Sequence, residues 1–497
     1  MGSLVRRIEG LSQAGYGVNM LEVPAPKRVA GGASNVVGMV ADLPWGPVNS
    51  VQTVGSFGEF FDTFYPDGFG ASKDFTTYPA ILALLNKPWP AGGLKVCRIA
   101  ATSQASAGSG AITAGTGSFT ITAKYPGALG NSITYHWEAA TGGDAAKRNL
   151  TIAVGTGYSE TYEDLATTDV AAISDPYVEI TESSPSAMPA TGSATALTSG
   201  SDGTAVAADY TGSISSSVGI RQFYGEGVKC DVLFCAEVPE ALKAGVNTGV
   251  KGWVDDTDKG IASLCTTDGQ ATADAITDVA SYRADRLHYP WPMVKTANFF
   301  ADTVADIEVD GNAFAAFAWA AVDPWVSAGG APGAPYLKGI TGLEDESASR
   351  STMDSLNAAG IAPWMMSSDL GGAIIRKGVS TALTGHTKLR SRRLVDYLQQ
   401  AFARFAVNYT ETQLDIDLAA EALGPNTGGF VAAISAWLLG EKELGHGIKS
   451  FAIDPFSGNT EASLDTNQWV VLVAVEIYGT ADTIVFKMQA GTTVVTA

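Results

Sequence analysis

Val36-Val37-Gly38-Met39-Val40 reads as a short buried strand, and the segments on either side of it decide the fold class. Pro44-Trp45-Gly46-Pro47 follows as a turn, and Ser56 to Phe64 reads as a helix capped by Ser56. Tyr78 to Leu85 reads as a second helix closed by Pro88 and Pro90, and Leu94 to Ile99 as a strand. Strands alternating with helices point to an α/β arrangement.

Further along, the composition shifts. Residues 101–118 are nearly all Ala, Gly, Ser and Thr, which reads as a linker. Short, Thr-rich alternating runs follow: Ser118 to Ala123, Ile133 to Glu138, Leu150 to Val154 and Tyr177 to Thr181. They predict a β-rich insert, residues 105–206, that leaves through a second Ser/Gly/Thr-rich stretch. Its three bases against ten acids suit a water-facing exterior. The α/β pattern then resumes. Cys230 to Ala236 and Ala373 to Val379 read as strands, as does His288 to Val294. Gly269 to Arg283 and Met353 to Ala359 read as helices, and Phe314 to Ala321 as a buried apolar run. Lys388 to Phe405 is the clearest helix, with Leu394, Leu398, Phe402 and Phe405 on one face. Gly429 to Leu439 is another helix, and Trp469 to Tyr478 an apolar strand.

Composition narrows the function classes. The chain has 497 residues, enough for about two to four domains. Only 16% of residues are charged while 46% are hydrophobic, a balance that suits a subunit whose neighbours cover much of its surface. With 31 bases against 51 acids the formal charge is -20, which argues against nucleic-acid binding. No apolar run reaches the ~20 residues of a membrane helix, and Arg6-Arg7 precede no apolar stretch, so we expect neither membrane insertion nor a signal peptide. Cys97, Cys230, Cys235 and Cys265 read as buried small hydrophobes rather than a disulfide framework.

No nucleophile elbow, phosphate-binding loop, metalloprotease motif or dinucleotide fingerprint is present. The four histidines, His136, His288, His386 and His446, pair with no acid cluster at ligand spacing. Asp415 with Asp417, and Asp255 with Asp256 and Asp258, read as solvated acidic turns. We therefore expect no catalytic residue, cofactor or metal.

One charge feature remains. Between Arg376 and Arg404 seven bases face one acid, Asp396. Several crowd the start of the helix at Lys388, where the helix dipole disfavours cations. A solvated face is the ordinary explanation; the alternative is a docking surface for an acidic partner. On that alternative Lys388, Arg390, Arg392 and Arg393 are contact candidates, with Lys442 beside the later helix. The two ends read as extended arms. Val18, Met20, Leu21 and Val23 precede Pro24 and Pro26, and Ile484, Phe486 and Met488 alternate after Gly479.

Several stretches together resemble the tail sheath proteins of contractile bacteriophages, a family shared with R-type bacteriocins and related contractile injection systems. Gly17 to Pro24 is similar to the family's first strand, and Trp45-Gly46-Pro47-Val48-Asn49 to its G-P-x-N segment after Val36 to Val40. Val54 to Phe60 follows in order. Tyr125 to Ile133 resembles a P-G-x-x-G-N turn, and Gly200-Ser201-Asp202-Gly203 a G-S-D-G turn. Leu356 to Ile361 resembles L-N-x-x-G-I, followed by Ile374-Ile375-Arg376, and Ser391 to Leu398 resembles the R-R-L-x-D-Y helix. Ala321 to Lys338 departs from the family's usual pattern.

The resemblance implies a multidomain α/β (α+β) chain with these parts: arm 1–30, core 31–104, outer insert 105–206, core 207–360, inner domain 361–478 facing a tube, and arm 479–497. It implies helical self-assembly, as stacked hexameric rings, around a tail tube, with baseplate and terminator proteins as further partners. It places the protein in a virion tail assembled in a bacterial cytoplasm. A β-rich surface hydrolase or adhesin is the different-class alternative.

Overall fold

The computed structural model of the chain describes residues 35–66, 92–225, 227–257, 259–297, 306–409, 414–465 and 468–479. The expected helix Tyr78 to Leu85 and both terminal arms lie outside the described residues. The chain divides into a larger unit, residues 33–396, and a smaller one that includes the described residues from 397 onward.

A six-stranded sheet organises the larger unit. Its strands are β1 (Val37–Ala41), β2 (Val51–Val54), β3 (Leu94–Arg98), β11 (Val232–Ala236), β12 (Ile261–Ser263) and β13 (Leu287–His288), in the order β13-β12-β11-β1-β3-β2. All neighbours pair in parallel except β2, which runs antiparallel to β3 at one edge. β1 is buried along its whole length, as expected for a strand covered on both faces. Val37, Met39 and Ala41 enter one core and Val40 the other, the two-residue period of a strand.

The first core is built on α5 (Asn312–Ala321), whose residues are buried all round except Ala321. A helix with no polar face belongs inside a layered core, and this explains the apolar run Phe314 to Ala321. α1 (Phe57–Phe64) adds Phe60 and Phe64 to this core, and Ser56 caps it by accepting from the Glu59 N–H. The second core is built on α3 (Lys243–Thr257), which buries Val246, Val250, Trp253 and Val254. This helix escapes a propensity reading because Gly245, Gly249 and Gly252 weaken it by about 1 kcal/mol each. Packing explains two of the three. A Cβ at Gly249 would lie 2.2 Å from the Thr211 side chain of α2 (Ala207–Thr211), and one at Gly245 only 2.8 Å from Ala207.

The insert holds two small antiparallel sheets. One joins β4 (Ile112–Ala114), β5 (Gly117–Ala123) and β9 (Val178–Ser183); the other joins β6 (Ile133–Ala139), β7 (Arg148–Val154), β8 (Tyr158–Leu165) and β10 (Thr195–Ala196). Its core of Phe119, Ile121, Trp137, Leu150 and Ile152 is separate from the other two. The insert is nonetheless tied to the sheet rather than hung on linkers. Trp45, from the turn after β1, is part of the insert's core. Arg98, fully buried at the end of β3, donates to the carbonyls of Leu43 (2.6 Å), Gly46 (2.7 Å) and Pro126 (2.7 Å). Two of the turns quoted above clamp each other at the neck. Asn131 exchanges hydrogen bonds with Gly200, at 3.0 and 2.8 Å, and Asp202 accepts from Ala128 N at 2.7 Å.

Two expectations are corrected. The single strand His288 to Val294 is broken into β13, β14 (Pro290–Trp291) and β15 (Val294–Ala297), because the chain passes through three different sheets there. The expected boundary at 361 moves to 396. β18 (Ala362–Ser367) pairs with β14 and with β19 (Gly372–Ile375), which keeps this stretch in the larger unit. All four cysteines are buried and free.

His288 is fully buried, neither ring nitrogen has a hydrogen-bond partner, and Trp319 stands edge-on at 6.0 Å. Burial disfavours the imidazolium and pushes its pKa down to about 3. Because the folded-state value lies below the unfolded one, the neutral ring's stabilising contribution is whole above about pH 6.5 and is lost as pH falls toward 3. We therefore predict that His288→Phe flattens the acid side of the stability curve. Urea melts of both proteins from pH 7 to pH 4 should show the gap between them shifting in favour of the variant as pH falls; a constant gap would contradict this.

Candidate assembly interface

The basic cluster sits on α7 (Leu389–Ala406) and in the strand-like segment before it. Three of its arginines are not offered to solvent. Arg390 and Arg393 are only 8% and 6% exposed. Arg390 Nε donates to the Trp325 carbonyl at 2.6 Å, and Arg393 donates to the carbonyls of Val322 (3.1 Å) and Asp323 (3.4 Å). Arg393 also lies 5.6 Å from the centre of the Trp319 ring. Arg392 grips Asp396 one turn later, with Nε at 2.9 Å, and approaches Asp285 at 3.7 Å. Asp396 in turn pairs with Arg286 at 3.0 Å, both side chains being buried.

The expected docking surface is therefore an internal fastening at Arg390, Arg392 and Arg393. The physical reason is the guanidinium's donor fork, which saturates loose carbonyls in the 322–325 turn as well as carboxylates. The helix dipole that disfavours cations at this end is outweighed by those specific bonds. Desolvation lowers the Arg393 pKa to about 10, which leaves it charged at neutral pH. Burial raises the Asp396 pKa, opposed by the two arginines. Lys388 is half-buried and bridges to Val379 through the backbone. Lys442 is exposed.

In the smaller unit, the second half of α7 meets α8 (Pro425–Glu443) through aromatic rings. Phe405 stacks on Phe430 at 5.3 Å, and Trp437 meets Phe402 at 5.6 Å and Tyr397 at 6.0 Å. Phe430, Ile434 and Leu438 are buried at a spacing of one turn, while Gly429, Ala432, Ala436 and Leu439 form an exposed stripe opposite. Asp415 secures the start of α8 by accepting from the N–H groups of Asn426 and Thr427, each at 2.8 Å; these bonds hold its pKa below the usual carboxylate value. It acts as a helix cap, not as a solvated turn.

β22 (Ile448–Asp454) and β23 (Leu472–Ile477) form a two-stranded antiparallel ribbon. β22 packs on α8, yet no residue of β23 is buried, although it reads Leu-Val-Ala-Val-Glu-Ile. Among the described residues neither outer edge of this ribbon carries a further strand. Apolar, half-covered strands with free edges are templates for pairing with another chain. The arm residues Val18, Met20, Leu21, Val23, Ile484, Phe486 and Met488 lie outside the described residues.

Among the described residues one carboxylate trio, Asp268, Glu308 and Glu344, comes together closely enough for a cation. Two of its members are already engaged. Glu344 accepts from the N–H groups of Gly269 and Met293, and Glu308 pairs with Lys295 at 3.3 Å. No helix among the described residues is long and apolar enough to cross a membrane.

No protein-family model matches this sequence, and no curated protein does. Solved structures do. The sheath tail protein of Desulfitobacterium hafniense superposes with a TM-score of 0.61 at 15% identity, covering 93% of this chain and 100% of that one. The sheath tail protein of Listeria innocua gives 0.60 at 15% identity, over 90% and 96% of the two chains. The contracted helical sheath of the anti-feeding prophage gives 0.53 at 12% identity, over 96% and 99%. The chain has the mixed α/β fold of contractile tail sheath proteins.

The arginine lattice yields a direct expectation. Asp396→Asn removes the buried carboxylate charge that Arg286 and Arg392 share, so it should cost about 3–5 kcal/mol of stability. Lys442→Glu, on an exposed side chain, should stay within about 0.5 kcal/mol. Denaturant melts of the two variants decide the matter, and equal stability would contradict the buried lattice.

Proposed function

We propose that this chain is the structural subunit of a contractile tail sheath, which polymerises helically around a rigid tube and contracts to drive that tube through a cell envelope. The observation that carries this reading is end-to-end similarity of fold to sheath proteins, including one in a contracted helical sheath. The activity is mechanical, with no catalytic residue, cofactor or metal in it. Contraction releases free energy by forming more and better contacts between subunits. The tube, the baseplate and a terminator protein are the partners, and the particle is a phage tail or a related injection device assembled in the host cytoplasm.

The β22–β23 ribbon, whose edges carry no further strand among the described residues, is the natural acceptor for the terminal arms of neighbouring copies, which would add strands to it. Residues 479–497 number nineteen and could reach roughly 60 Å when extended at about 3.3 Å each. With the arginines of α7 engaged internally, the exposed stripe of α8 and Lys442 become the better candidates for facing the tube.

Negative-stain microscopy of the purified chain tests this reading. Striated tubes are expected; discrete monomers at every concentration would contradict it. Deleting residues 1–23 or 480–497 should leave a folded monomer that forms no long tubes, and normal tubes from either truncation would refute the arm mechanism.

A further inference from the structure

The helical layer over the α3 face of the six-stranded sheet ends in a knob at one side and a groove at the other. The knob follows α2. Ser213 and Ser216 exchange backbone hydrogen bonds at 3.2 Å in both directions, which puts Ile214 and Ser215 at the tip of a two-residue turn. Ile214 is 90% exposed. A single exposed apolar residue is ordinary on a protein surface. This one is held out by a braced support. Gly212 and Gly219 close the base with φ of +67° and +53°, and a Cβ would meet the Val218 carbonyl at 2.4 Å in one case and the Tyr210 carbonyl at 2.0 Å in the other. No other residue type fits either position without moving the backbone.

The groove lies between α4 (Thr272–Val279) and α6 (Arg350–Ala358) and has a volume of about 290 Å³. Ala273, Ile276 and Leu356 give it an apolar lining, and Thr272, Thr352 and Ser355 add hydroxyls. Knob and groove sit toward opposite edges of the sheet. Gln222, just after the knob, donates to the Asn49 carbonyl at 2.7 Å, next to the β2 edge. Asp278 of α4 accepts from the Tyr289 hydroxyl at 2.8 Å, immediately after β13 at the other edge.

We propose that the Ile214 knob of one copy seats in the α4–α6 groove of the next, a head-to-tail contact that acts in addition to the terminal arms. The proposal rests on the reading that the chain polymerises. Charge does not oppose a second copy as the partner. With a formal charge of -20, copies repel wherever their acidic surfaces meet. Neither Thr211 to Gly219 nor the lining of the groove contains an ionisable side chain, so these two surfaces can meet without like-charge repulsion. Because the two halves of the contact lie at opposite edges, repeating it generates a ring or a helix rather than a closed dimer.

The test is covalent trapping in the full chain under assembly conditions, with tubes scored by microscopy in the same samples. The four native cysteines are buried, so a short bis-maleimide addresses only introduced thiols. The double variant Ile214→Cys with Ser355→Cys should give a ladder of dimers, trimers and longer species, and each single variant should give none. Tubes without a ladder would overturn this contact while leaving the sheath reading intact. Absence of tubes as well would reject both. Dimers from Ile214→Cys alone would show that knobs meet each other, which also overturns it. As a second readout, Ile214→Asp should raise the concentration needed for assembly about tenfold, as expected for an anchor residue, with the monomer's melting unchanged. Unaltered assembly would overturn the contact.

Discussion

A buried guanidinium must have its donors satisfied, and this chain uses that requirement to fasten its larger unit together. Arg98 draws the Leu43 and Gly46 carbonyls of the turn after β1 and the Pro126 carbonyl of the insert onto one side chain. Arg390 and Arg393 do the same for residues 322–325, and Arg286 and Arg392 share Asp396. Arg283 donates to the Ala359 and Thr381 carbonyls. Apart from the Asp396 carboxylate, the acceptors are carbonyls of irregular segments, which a sheet or helix ladder does not satisfy and which find their hydrogen bonds in an arginine.

On the proposed reading as a sheath subunit, this arrangement suits a body that carries load without deforming. A metastable polymer stores free energy between its subunits, so the body of each subunit has to be stiffer than the joints. Dense burial in the two sheet cores and the saturated arginines supply that stiffness in residues 33–396. The ribbon of β22 and β23 has the opposite character, apolar yet half-covered. Apolar surface of that kind is stabilised by association rather than by the chain's own fold.

Much of the fold was legible in the sequence, and the failures have identifiable causes. Val36 to Val40, Leu94 to Ile99 and Lys388 to Phe405 declare themselves through short apolar runs or helical spacing, and each forms the expected element within a residue or two. α3 was hidden because its glycines serve close packing against α2, a tertiary requirement that local propensity cannot express. The segment His288 to Val294 misled because a continuous apolar run does not reveal a chain changing sheets. The basic cluster was visible as a cluster, but charge density says nothing about direction. Only the fold shows that Arg390 and Arg393 turn inward to backbone carbonyls. The turns at Asn131 and Gly200 are separate features in the sequence, and their mutual hydrogen bonds emerge only in three dimensions.

The central claim is that the larger unit is complete in the single chain while the ribbon is completed by other copies. Amide hydrogen exchange, compared between dilute monomer and polymer, addresses it most directly. The account predicts that β22 and β23 exchange readily in the monomer and gain on the order of 100-fold protection or more on assembly, while β1, β3 and β11 are strongly protected in both states. Equal protection of the ribbon in monomer and polymer, or a gain confined to the six-stranded sheet, would contradict it.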